Sequence, residues 1–237
     1  SYSFGFRAPQ AFDEDLHIES SGSRKVIHIN SPDLKQETSD SFMASLDYNK
    51  SFGTSSFGIL VEGFHTKLNN PFTNEYSSPD ENGVVTYTRI NTTEGAFVQG
   101  VNLELNYVPT TGLKLNAGFT FQQSKYEAAQ EFNEKNFFRT PENYGFFTLD
   151  WEATDSWCII GTGTYTGNML VPYFGTTISN PEEGILKKSG TFFDAGLKIT
   201  KTLKLAHNNL EISGGMKNIF NSYQEDFDSG IDRDPAY

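Results

Sequence analysis

Leu113-Lys114-Leu115-Asn116-Ala117-Gly118-Phe119-Thr120-Phe121-Gln122 is the stretch that decides the fold. Apolar side chains fill every odd position, and polar or small ones fill every even position. Successive side chains point to opposite faces of a strand, so this order makes one apolar face and one polar face. The same period of two runs through Val101/Leu103/Leu105/Tyr107, Phe147/Leu149/Trp151/Ala153 and Phe193/Ala195/Leu197/Ile199. It recurs more weakly in Phe42/Ala44/Leu46/Tyr48, Phe57/Ile59/Val61, Trp157/Ile159/Gly161 and Leu210/Ile212/Met216. That makes eight strands, plus a stub over 1–6. No stretch has the 3.6-residue period of an amphipathic helix. The expected fold is all-β, an antiparallel up-and-down meander of about eight or nine strands.

Connection lengths sharpen this. Pro109-Thr110-Thr111-Gly112 and Thr154-Asp155-Ser156 are short links with turn-forming residues. The stretches 66–96, 123–143 and 168–190 are long. Short and long links alternate, so all short turns lie at one end of the sheet and all long loops at the other. Long structureless loops are uncommon in compact domains and are usually functional. Regular alternation of this kind is the pattern of a transmembrane barrel with short periplasmic turns and long extracellular loops. Eight strands with an uncovered apolar face would also expose a large apolar patch, which marks a membrane or partner surface. A soluble β-sandwich binding domain shares the period of two, but its loop lengths would be irregular.

Composition excludes other classes. The 237 residues carry 18 Lys and Arg against 30 Asp and Glu, a net charge of −12. No nucleic acid partner is expected, because phosphate affinity requires basic patches. With 14% aromatic residues, the chain does not read as disordered. One cysteine, Cys158, excludes an internal disulfide framework. The stretch to Ser39, the three long loops and the tail from Asn221 hold 21 of the 30 acids and 12 of the 18 bases. Most of the negative charge therefore sits at the long-loop end of the sheet or beside it.

No catalytic constellation is present, so no enzyme activity and no cofactor are expected. The histidines 17, 28, 65 and 207 share no ligand spacing. Asp226, Asp228 and Asp232 are weak candidates for a cation, since their spacing only partly follows a calcium loop and a solvated acidic loop explains it equally. Phe137, Tyr173 and Phe174, with Phe138 and Arg139, are candidates for contact with an external ligand. The loop aromatics could instead form a girdle at headgroup level.

Five segments resemble the C-terminal part of the barrel of TonB-dependent outer-membrane receptors. They are Gly5-Phe6-Arg7-Ala8-Pro9, then Ser31-Pro32-Asp33-Leu34 leading to Glu37, then Arg89-Ile90-Asn91 with Gly100-Val101-Asn102-Leu103-Glu104-Leu105. Arg139-Thr140-Pro141 and Gly215-Met216-Lys217-Asn218-Ile219-Phe220-Asn221 complete the set. They stand in the family's order and cover essentially the whole chain. The resemblance implies about nine strands near the C-terminus of a 22-stranded transmembrane β-barrel, a segment that would be an open or distorted sheet when isolated. The family's N-terminal plug and its final strand are not matched in these residues, and the chain opens on what reads as the end of a strand, so a longer parent is expected.

The function implied is that of the parent: a receptor in the bacterial outer membrane that imports a scarce nutrient of the iron-siderophore, haem or cobalamin class. The partners implied are the TonB complex through the plug, the nutrient at the extracellular loops, and outer-membrane lipid. A passive porin-type barrel is the alternative from another class.

Overall fold

A computed structural model describes residues 1–9, 25–78, 80–82, 84–173, 177–180, 183–206 and 208–223. Nine strands form one antiparallel sheet. They are β1 (Tyr2–Arg7), β3 (Glu37–Phe52), β4 (Ser55–Asn69), β7 (Ala96–Thr110), β8 (Leu113–Tyr126), β9 (Asn143–Thr154), β10 (Trp157–Thr166), β13 (Phe192–Lys204) and β14 (Asn209–Met216). Their order in the sheet is their order in the chain, a pure meander with β1 and β14 as its two edges.

Register turns the sequence period into two surfaces. Val61 pairs Leu103, and Leu103 pairs Phe119. The adjacent row pairs Glu62 with Asn102 and Asn102 with Thr120. The apolar face is exposed: Leu46, Val61, Leu103 and, one row on, Phe121 all stand outward without cover. The polar row bonds to itself. Asn102 Nδ2 donates to Glu62 at 2.9 Å, and Thr120 Oγ1 donates to Asn102 Oδ1 at 2.9 Å. Asn116 donates to Asn106 at 2.7 Å on the same face. A soluble sheet hides its apolar side; this wall exposes it and bonds its polar side to itself, the inversion typical of a barrel wall. Its outward apolar stripe on β8, from Leu113 to Phe121, is about 27 Å along the strand. Tilted by about 40°, it covers ~21 Å of depth, close to the apolar band of such barrels.

The short turns pin the register. Phe52 pairs Ser55 across Gly53-Thr54, and Thr110 pairs Leu113 across Thr111-Gly112. Gly53 and Gly112 have φ of 61° and 81°, a region where a Cβ is strained. At this end the outward face carries aromatics and lysines. Phe57 meets Tyr107 edge-on at 6.3 Å, and Lys201 Nζ lies 4.5 Å above the Trp157 ring. Amphipathic rings and long cations suit a membrane-water boundary.

Higher up the outward face, Phe119 and Tyr165 stack at 5.9 Å on either side of Gly145, which pairs with both. An added Cβ at Gly145 would lie 2.6 Å from Phe119 Cδ2, so the absent side chain is where the ring rests.

The long connections are not structureless, which corrects the expectation for 66–96 and 168–190. The strands run further than their apolar alternation suggested, β4 to Asn69 and β8 to Tyr126. The connection from β1 to β3 contributes β2 (Lys25–Asn30) and that from β4 to β7 contributes β5 (Phe72–Tyr76) and β6 (Val84–Asn91), which form a three-stranded sheet with β2 parallel to β6. The connection from β10 to β13 folds back as a hairpin of β11 (Leu170–Tyr173) and β12 (Ile185–Lys188). These strands are short and interrupted by polar residues, so they lack a long period of two. The core lies here: Val85, Tyr87, Ala96, Met169, Val171 and Tyr173 are buried, whereas the wall buries almost nothing.

Candidate functional site

The long-loop end of the sheet is a folded cap, and its base is fastened by polar groups. Asn91 Oδ1 accepts the Lys35 N–H at 2.7 Å, while Asn91 Nδ2 donates to the carbonyls of Lys35 at 3.0 Å and Asn70 at 2.7 Å. Arg7, at the top of β1, pairs with Glu37 at 3.2 Å and lies 4.6 Å above the Phe72 ring. Glu37 also accepts the Phe72 N–H at 3.2 Å. Thr73 Oγ1 donates to Gln130 at 2.9 Å, tying β5 to the loop after β8.

These contacts frame a half-open cavity of about 360 Å³. Arg7 and Arg89 supply two guanidinium groups to its wall, and Glu131 one carboxylate. Phe72, Tyr126, Phe137 and Phe138 supply aromatic surface, with Phe137 packed on Tyr126 at 4.5 Å. Rings with convergent donors on a folded loop scaffold make an adaptable small-molecule site. The arrangement favours a ligand with flat apolar parts and negative or hydrogen-bond-accepting groups. It holds no nucleophile-and-base pair.

The ligand-contact candidates part company. Phe137 lines the cavity. Arg139 is exposed, with φ of 54°, and its N–H donates to Leu170 at 2.8 Å, so its backbone joins the loop after β8 to the β11–β12 hairpin. Tyr173 is buried in that hairpin, its hydroxyl 2.6 Å from Thr177 Oγ1 and its ring beneath Lys187 Nζ at 3.1 Å. Phe174 and the weak cation candidates Asp226, Asp228 and Asp232 lie outside the described residues. Among the described residues, no cluster of metal-ligating side chains occurs. The girdle reading of the loop aromatics does not hold for Phe137 and Tyr173, which pack inside the cap. Exposed aromatics stand on the strands instead, among them Trp157 and Tyr107. Arg7, Phe72, Arg89 and Tyr126 were missed as site residues, although Arg7 and Arg89 both fall in motifs of the sequence.

A family model described as TonB dependent receptor-like β-barrel matches residues 1–219. The chain belongs to the TonB-dependent receptor β-barrel family. Members of this family are transporters rather than enzymes. Among solved structures, the chain is similar to the copper transporter OprC, with 16% identity and a TM-score of 0.62 over 93% of this chain and 30% of that one. It is similar to the ferripyoverdine receptor of the outer membrane of Pseudomonas aeruginosa, with 14% identity and a TM-score of 0.61 over 92% of this chain and 26% of that one. The ferric-catecholate import receptor Fiu of E. coli K12 aligns with 17% identity and a TM-score of 0.60, over 92% of this chain and 28% of that one. These likenesses establish the shared barrel fold. The chain spans under a third of the length of each of these TonB-dependent receptor structures. No curated protein matches the chain by sequence.

Proposed function

We propose that this chain is a nine-strand part of the barrel wall, with its extracellular cap, of a nutrient receptor in the bacterial outer membrane. The observation that carries the reading is the inversion of the wall: an exposed apolar stripe outside, a hydrogen-bonded polar ladder inside, and a cap with its own core above. The parent completes the barrel with further strands and a plug, and TonB acting on that plug supplies the energy for import. The cavity beside Arg7 and Arg89 takes part in capturing a scarce nutrient carrying flat and anionic parts, within the iron-siderophore, haem or cobalamin range.

The test is uptake by cells expressing the full receptor with ferric siderophores, haem and cobalamin supplied in turn. One ligand should be accumulated only when TonB is present, and Arg7→Ala with Arg89→Ala should weaken its binding. Binding that is unaffected by both substitutions would remove the cavity from the reading. Liposomes that swell in small sugars without TonB would point to a passive pore instead.

A further inference from the structure

Arg7 and Glu37 stand directly opposite each other in the register of β1 and β3. Two residues back, Gly5 faces Ser39, and two further back Ser3 faces Ser41, whose hydroxyl bonds Thr66 at 2.9 Å. The pair therefore closes the polar face of the sheet where the wall meets the cap. Its partners differ in exposure: 57% of the arginine side chain is open to solvent, against 13% of the glutamate. Arg7 lines the cavity of the cap, and Glu37 is not one of its lining residues.

Two contacts fix the arginine head. Its Nη2 donates to Glu37 Oε2 at 3.2 Å, and its guanidinium carbon lies 4.6 Å from the centre of the Phe72 ring. Phe72 is held in turn by its backbone. Its N–H donates to the same Glu37 Oε2 at 3.2 Å, its carbonyl lies 3.4 Å from the Tyr126 hydroxyl, and Pro71 before it is fully buried. One carboxylate oxygen thus sets both the guanidinium and the ring beneath it. An unheld arginine samples many rotamers, and freezing one during binding lowers affinity. Here the head is ordered by folding, before any ligand arrives.

A guanidinium presents five N–H donors in a planar fork, so the bond to Glu37 leaves a second edge for another acceptor. That fork matches a planar carboxylate through two parallel bonds. Phe72, Tyr126 and Phe137 offer ring surface to the rest of such a ligand. A glutamate beside an anion site also repels the anion. The repulsion acts across the width of the guanidinium and in a half-open cavity, where solvent screens it. Ordering of the head acts at contact, so geometry outweighs charge.

We propose that Glu37 is the positioning residue of this site: it lays the Arg7 guanidinium on Phe72 with an open edge to the cavity, ready for the carboxylate of an aromatic acid whose ring lies among Phe72, Tyr126 and Phe137. The inference rests on the cavity reading of the preceding section and deepens it, naming the anion as a planar carboxylate and its receiver as a preset arginine.

The test uses the full receptor in mild detergent and equilibrium dialysis with two probes of one shape, naphthalene-2-carboxylate and its neutral carboxamide. Wild type should bind the carboxylate more tightly. Glu37→Ala removes both contacts and should weaken carboxylate binding by about three- to tenfold, the effect of having to order one long side chain on binding. Carboxamide binding should not change. Glu37→Gln keeps an acceptor for Arg7 and for the Phe72 N–H without the charge, and should recover most of the loss. In an Arg7→Ala background, Glu37→Ala should have no further effect. Tighter carboxylate binding by both Glu37 variants would show that the residue acts through charge alone, and would overturn the inference. Equal loss of both probes in Glu37→Ala, or a further loss without Arg7, would reduce Glu37 to a fold residue and overturn it as well. A wild type that binds the two probes alike, or neither, would do the same. Should Glu37→Ala fail to assemble, Glu37→Asp, one methylene too short to reach both partners, takes its place with the same expected loss. Uptake of ferric siderophores, haem and cobalamin is followed in parallel. A wild type that takes up none of them sinks the receptor reading, while the two probes still decide the role of Glu37.

Discussion

The carboxamide of Asn91 holds Lys35, a residue 56 positions earlier, by both ends of its backbone, accepting its N–H at 2.7 Å and donating to its carbonyl at 3.0 Å. The third bond, to the Asn70 carbonyl at 2.7 Å, makes Asn91 the point where the end of β6 meets the links before β3 and after β4. Asn91→Ala should loosen the cap and leave the wall in place. Each lost hydrogen bond contributes about 0.5–1.5 kcal/mol. Limited proteolysis should then cut between 30 and 90 faster than in wild type. Asn91→Asp, which keeps the acceptor and loses the donor, should fall between the two. Equal cleavage rates in all three proteins would show that the clamp is dispensable.

Neighbouring residues on opposite faces should respond oppositely to charge. Leu103→Arg puts a cation on the outward apolar stripe, where it costs about 2–4 kcal/mol at mid-depth. Glu104→Arg, one residue on, faces the wet side and should assemble normally. The measurement is the fraction of full receptor that is heat-modifiable in outer membranes.

Glycines along the wall differ in what a methyl group would meet. At Gly145 a Cβ would lie 2.6 Å from both the Gly118 carbonyl oxygen and the Phe119 ring, whereas at Gly63 nothing lies within 4 Å. Gly145→Ala should lower stability by about 1–3 kcal/mol through overpacking, and Gly63→Ala should be close to neutral. Comparing urea midpoints of the refolded full receptor distinguishes them.

Glu134 gives the cap a pH dependence of known sign. The N–H groups of Asn136 and Lys135 hold its carboxyl below the ordinary 4.5, assisted by the charge of Lys125. A carboxyl depressed on folding stabilises the fold fully above its unfolded value, and the contribution is lost as pH falls through the folded one. Order in the 131–136 turn should hold at pH 6 and decline below about 4.5 in wild type. Glu134→Gln should show no such step. Amide exchange at Asn136, compared between the two proteins at each pH, reads the difference.

The wall was legible because its solvent is simple. An exposed apolar face and a self-bonded polar face leave a strict alternation, so Leu113 to Phe121 announces both faces of β8 and the meander follows from turn lengths. The cap was not legible, because β2 pairs with β6 across a distant stretch and the contacts at its base depend on single polar groups such as Asn91. Tyr173 looked like a free loop aromatic, since nothing local reveals that Lys187 will lie over it. Arg7 and Arg89 could have been nominated from their motifs, but only the folded cap brings both to one cavity.

The concentration of buried large side chains in the cap, among the described residues, bears on how such a protein diverges. Outward wall positions are selected for oiliness and not for shape, so leucine, valine, isoleucine and phenylalanine can replace one another there with little consequence. Val85 and Ala96, with no exposed surface, admit no such freedom. Lineages can therefore drift to 14–17% identity while the scaffold stays superposable. On such a wall the alternation of faces, more than the identity of any one outward residue, specifies the scaffold.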